Sequence, residues 1–127
     1  MDLQPAARPD VALSWNASYP HCTRILHGAT LTGEAARRQL CVHIGLWLDD
    51  SGRIRQARWR AVEDAALGEC AETACGLLEM GTDPHRFDGN ALREAMGATA
   101  AAQGERPDLV AAAIQAALLL RGAREEA

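Results

Sequence analysis

The sequence predicts an α+β fold, a small antiparallel three-stranded sheet with helices packed on one face. Three observations carry that expectation. Residues 41–48 alternate, with Val42, Ile44, Leu46 and Leu48 on one side and Cys41, His43, Gly45 and Trp47 on the other. Asp49-Asp-Ser-Gly52 supplies turn chemistry, and the chain returns through Arg53-Ile-Arg-Gln-Ala-Arg-Trp-Arg60. Val62 to Met80 then changes to helical spacing.

In chain order, residues 1–20 are rich in Pro, Ala and Asp and read as an irregular arm, with Trp15 its anchor on the domain. Residues 21–127 form the single domain. Thr23 to Thr32 carries β-branched residues and is the expected first strand, limited by Gly28 and Gly33. The second strand is the clean alternation of 41–48. The third alternates poorly, which implies a solvated outer side or irregular pairing.

The long helix has one stripe of Ala66, Cys70, Ala74 and Leu77, with Leu67, Ala71 and Leu78 beside it. Gly81 stands where a left-handed cap ends a helix. A loop runs to Gly89, and Asn90 is the expected cap of a short helix ending at Met96. Pro107 opens the last helix, Asp108 to Arg121, with Leu109, Ala113, Ala116 and Leu120 on one face. Asp108 near its start and Arg121 near its end suit the helix dipole. Arg124 to Ala127 is an expected frayed end.

The chain has 127 residues, enough to bury a core without a metal or disulfide. It is 48% hydrophobic but only 4% aromatic, so the core is built mainly from Ala, Leu, Val and Ile. A net charge of -4 argues against a dedicated nucleic-acid or membrane-surface binder. All 13 basic residues are Arg, which removes Schiff-base chemistry. There is no apolar run long enough for a membrane span, and the first residues lack the pattern of a secretory signal. A cytoplasmic protein with reduced cysteines is expected, and the Asn16-Ala-Ser18 sequon carries no weight in that setting. No nucleophile–base pair, phosphate-cradling glycine loop or pair of catalytic acids emerges, so an enzyme is not expected.

From Val42 to Gly81 the order strand, turn, strand, long helix resembles the IscU/NifU N-terminal family, the scaffolds on which iron–sulfur clusters are assembled. Gln56-Ala-Arg-Trp59 looks like that family's hairpin end, and Leu109 to Leu118 looks like its last helix. The likeness spans about two-thirds of the chain; residues 1 to about 35 match poorly. The resemblance implies a cluster held by three cysteines and a carboxylate or histidine. It also implies a cysteine desulfurase, or another assembly protein, as partner. Without gaps, the three cysteine places hold Arg38, Asp64 and Arg106 or Asp108. The Gly-Cys-Gly signature is replaced by Val62-Glu-Asp-Ala65, and only Gly104-Glu-Arg-Pro107 stands near the chaperone-binding segment.

The candidate metal ligands are therefore Cys41, close to the family's first ligand, Asp64, at its second, and Cys70 in the long helix. They would hold an iron–sulfur cluster or a lone iron or zinc ion, or none. Clusters need several converging thiolates, and zinc a tetrahedron of Cys, His or carboxylate groups. Cys70 and Cys75 diverge by roughly 140° around a helix, which opposes a shared metal or a disulfide. A buried structural thiol also explains each of them. Cys22 is the cysteine expected to be exposed. His43 shares a face with Cys41 at a spacing compatible with joint ligation, or with a solvated face. His85 with Asp83 and Asp88 reads as a charged surface loop that could hold a divalent ion. Glu63 and Asp64 also suit a helix start. Arg38, Arg58 and Arg60, with Arg55, are candidates for a partner-docking surface, or for a solvated sheet edge. The expected function is an iron–sulfur scaffold-like protein with altered or lost cluster ligation. The alternative is a scaffold-derived interaction module that binds no metal.

Overall fold

A computed structural model describes residues 19–126, with side chains as far as Leu119. Three strands, β1 (Leu31–Arg37), β2 (Leu40–Leu48) and β3 (Ile54–Ala61), form an antiparallel meander in the order β1-β2-β3. Three helices follow: α1 (Ala65–Glu79), α2 (Gly89–Met96) and α3 (Arg106–Glu126). Short 3-10 turns at Pro84–Arg86 and Gly97–Gln103 link them. The α+β architecture expected from the sequence is the one observed. No helix among the described residues is long and apolar enough to cross a membrane.

One face of the sheet makes the core. Cross-strand partners Leu31–Leu46–Ala57 and Gly33–Ile44–Trp59 lie in rows on that face. α3 lies over β1 and α1 over β3. From α1 the chain buries Leu67, Cys70, Ala71, Ala74, Cys75 and Leu78, so the buried stripe is centred on the Leu67–Ala71–Leu78 line. Asp64 caps α1 by accepting from the Leu67 N–H at 2.8 Å. Gly81, at φ 108°, follows its end.

The small-residue composition has a specific consequence at Gly33. A Cβ there would lie 2.0 Å from the Ala113 carbonyl oxygen and 2.5 Å from the Ala117 nitrogen. Glycine is therefore required inside β1, because the α3 backbone rests directly upon it. It does not end a strand.

The expected first strand, Thr23–Thr32, is displaced along the chain. Residues 23–30 form a loop and β1 begins at Leu31. The β-branched segment loses to tertiary context. Its start instead covers the edge of β3: the Trp59 N–H donates to the His21 carbonyl at 3.0 Å, and the Thr23 N–H to the Trp59 carbonyl at 2.8 Å. Further on, Leu26 and Ala29 lie against Gly45 on the outer face of the sheet.

β3 carries an irregularity opposite Trp47 and Leu48, where Leu48 pairs with Ile54 and Trp47 with Gln56. Skipping Arg55 returns Ile54 to the core face, which accounts for the poor alternation of this strand. The hairpin turn is held by Asp49, whose Oδ1 accepts from Ser51 N–H, Ser51 Oγ–H and Arg53 N–H. At α2 the cap is Asp88, accepting from Ala91 N–H at 2.8 Å, and Asn90 lies inside the helix. α3 runs on to Glu126, past the expected end at Arg121, so residues 124–126, expected to fray, continue the helix. The expectations for the arm of residues 1–18, its Trp15 anchor and the Leu120 and Arg121 side chains fall outside what is described.

Candidate metal site

β2 and β1 are joined by a two-residue turn, Arg38-Gln39, since Arg37 pairs with Leu40. Arg38 takes a positive φ of 58°, as such tight hairpin turns demand of their first central residue. This turn fixes the register of everything behind it. Glu34 falls opposite His43, and Ala36 opposite Cys41. Cys41 and His43, two residues apart on β2, point to the same outer face.

Three donor atoms meet there. Cys41 Sγ lies 3.6 Å from His43 Nε2 and 3.7 Å from Glu34 Oε2, and His43 Nε2 lies 3.8 Å from that same oxygen. The triangle is nearly equilateral. A tetrahedral zinc with bonds of about 2.0–2.3 Å would set its ligand atoms about 3.3–3.7 Å apart. The trio is thus within a few tenths of an ångström of the spacing one ion requires, and it could hold a metal ion.

The arrangement is less suited to nucleophilic catalysis. A relay needs the acid and the thiol on different nitrogens of the imidazole. Here Glu34 and Cys41 both address Nε2. The Cys41 thiol is pushed up by burial first, then by the Glu34 charge and hydrogen bond, with Arg60 acting in the opposite direction. A thiol shifted that way is a poor free nucleophile at neutral pH. A cation on the site would displace its proton and reverse the shift.

The sequence-expected ligands Cys41, Asp64 and Cys70 do not converge. The sheet separates them: Cys41 is on the outer face, while Cys70 is fully buried on the helix-covered side. Among the described residues, only Glu34, Cys41 and His43 bring three ligand atoms mutually within 4.8 Å. The Cys70 thiol lies 3.8 Å from Gln103 Oε1 and is pushed up to about 12, chiefly by burial. Burial likewise pushes the Cys75 thiol well above its ordinary value. Both are core residues, and no pair of cysteines is disulfide-bonded.

Asp64 is engaged elsewhere. Arg106 Nε and Nη2 donate to its two carboxylate oxygens at 2.8 and 3.0 Å, and Oδ1 also caps α1. Arg106 holds the Asp64 carboxyl below the usual carboxylate range. Beside this pair, Arg37 and Arg38 reach Glu105 at 3.1 and 3.6 Å. Of the positions equated with cluster cysteines in the sequence, Arg38, Asp64 and Arg106 are therefore linked in space through neighbouring ion pairs, while Asp108, the other residue matched to the third place, pairs with Arg93.

The docking arginines are dispersed. Arg38 sits at the β1–β2 turn. Arg58 donates to Glu79 of α1 and is tied to the β3 edge. Arg60 lies on the outer face, opposite His43 across β2–β3. His85 stands in the 3-10 turn that Asp83 caps, and Asp88 is occupied as the α2 cap. Glu34 was missed from sequence because its partnership depends on strand register. The available signal was the two-residue turn, which sets residue 34 opposite residue 43.

Neither a protein-family model nor a curated protein matches this chain. The site therefore rests on its own geometry.

Proposed function

We propose that this protein is a scaffold-like metal carrier with altered ligation, holding a single divalent transition-metal ion between Glu34, Cys41 and His43. One observation carries the reading: the convergence of a thiol, an imidazole and a carboxylate on one point of a rigid sheet. One sulfur, one nitrogen and one oxygen suit zinc or ferrous iron. A cluster wants several thiolates, and this trio offers one. Three protein donors leave a coordination position open, as a site that exchanges its ion or ligand requires. The likeness to iron–sulfur scaffolds supports handling of metal, with a cysteine desulfurase or another assembly protein as partner. The Asp64–Arg106 pair supports loss of the cluster position itself.

Equilibrium dialysis of the apoprotein against zinc or cobalt tests this. A single ion per chain is expected, with affinity falling roughly 100-fold or more in Cys41→Ser and in His43→Ala. Cys70→Ser is expected to leave binding unchanged. No uptake, or uptake indifferent to Cys41, overturns the proposal. The alternative is an interaction module without metal. The ion pairs that close the Arg38–Asp64–Arg106 region favour it, and absent uptake together with a stable protein complex from the native host would establish it.

A further inference from the structure

A surface cleft of about 430 Å³ opens on the outer face of the sheet, directly beside the trio. His43 belongs to both. Its polar lining is Arg24, His27, Thr32, His43 and Arg60, with Leu26 among its apolar walls. Among the described residues no carboxylate lines it, although acids outnumber basic residues 17 to 13 in the chain. The local charge therefore opposes that of the molecule as a whole. The size falls within the range of small-molecule pockets and far exceeds what a water molecule needs.

Register explains why the two features adjoin. Glu34, His43 and Arg60 form one row across the three strands, so carboxylate, imidazole and guanidinium stand side by side. Arg60 Nη1 donates to the Arg24 carbonyl at 3.2 Å, which ties its guanidinium to the cleft wall. Its remaining N–H groups offer the planar fork that matches carboxylate and phosphate oxygens. A divalent ion with the Cys41 thiolate and Glu34 carboxylate sums to zero charge, which leaves Arg24 and Arg60 without a carboxylate partner among the described residues, beside an open coordination position.

Resting on the metal-site reading above, we propose that this cleft binds a small oxyanion, carboxylate or phosphate, that reaches the open position of the ion while Arg60 holds its other oxygens. The metal and the cleft then form one composite site, and the ligand is a second determinant of metal retention and release.

The test uses the full chain loaded with cobalt, whose visible spectrum reports changes in its coordination. Inorganic phosphate and oxalate are titrated separately, so the two arms distinguish the phosphate and carboxylate sources. Saturable spectral change with at least one of them is expected, and Arg60→Gln, compared at saturating cobalt, is expected to weaken that anion about tenfold. If cobalt binds but neither anion changes the spectrum, the composite site is overturned and the metal reading stands. Anion binding indifferent to Arg60→Gln also overturns it. If cobalt itself does not bind, the metal reading fails and the composite site fails with it.

Discussion

Arg106 closes on Asp64 as a bidentate pair, Nε to Oδ1 at 2.8 Å and Nη2 to Oδ2 at 3.0 Å, joining the start of α3 to the start of α1. Both side chains are largely shielded, so the pair is stronger than an open surface contact. Asp64→Asn retains an oxygen for the Leu67 N–H and so keeps the cap while removing the charge. The expected cost is about 1–3 kcal/mol, read from urea unfolding. The Asp64 carboxyl is held below its ordinary value, first by the Arg106 hydrogen bonds. Its stabilising contribution is therefore present above the unfolded value of about 3.9 and lost as pH falls through the folded value. In Asp64→Asn the acid limb of the stability profile is expected to be shallower than in the wild type. Equal slopes would show that the pair contributes nothing.

His21 bridges two carboxylates of α1, Nδ1 to Glu72 and Nε2 to Glu79 at 3.0 Å, and its backbone N–H donates to Glu72 at 3.0 Å. Glu72 also accepts from Trp59 Nε1, and Glu79 from the Ala57 N–H and from Arg58. Burial opposes the imidazolium, but the hydrogen bonds and charges of the two glutamates outweigh it and the His21 value is raised. With the folded value above the unfolded, the contribution is full below about pH 6.5 and is lost as pH rises through the folded value. His21→Gln is expected to lose about 1–2 kcal/mol at pH 6 and to lose less at pH 9. Denaturant midpoints at the two values check this; a larger loss at alkaline pH would contradict it.

Gly33→Ala is expected to cost about 3 kcal/mol or more, because the obstructing atoms at 2.0 and 2.5 Å are backbone and no side chain can turn aside. Gly28→Ala is a useful companion. It is strained by a φ of 95° yet meets nothing within 4 Å, so it is expected to cost only about 1–2 kcal/mol. Comparing the two by chemical denaturation separates steric collision from backbone strain.

The parts of this fold legible in the sequence were those with one dominant local cause. β2 alternates because one face is buried, and Asp49-Asp-Ser-Gly52 turns because Asp49 can satisfy three donors at once. β1 was hidden because Ala35, Ala36 and Gly33 are weak strand formers, and their placement is decided by β2 and α3. The site depends on the same register. A first strand at 23–32 leaves Glu34 without a cross-strand partner, and Cys41 with His43 then gives only two donors. Asp64 was correctly placed at a helix start, but its occupation by Arg106 is a contact across 42 positions that no local pattern encodes.

The ion pairs make the scaffold resemblance itself testable. Asp64 meets Arg106, and Arg38 meets Glu105, the residue before Arg106, so the three cysteine places border one region when Arg106 rather than Asp108 is taken as the third. If the chain descends from a cluster scaffold, that region keeps the frame and lacks only thiolates. Combining Arg38→Cys, Asp64→Cys and Arg106→Cys in a Cys41→Ser background is expected to create cluster-binding capacity, seen as visible absorbance after anaerobic reconstitution with iron and sulfide. Cys41→Ser alone is expected to remain colourless under the same treatment. Because loss of the pair costs stability, circular dichroism must first show that the combined variant is folded. A folded variant that takes up no iron and sulfide would mean that these positions are not a former ligand set, and that the likeness of the strand–turn–strand–helix run reflects shared architecture alone.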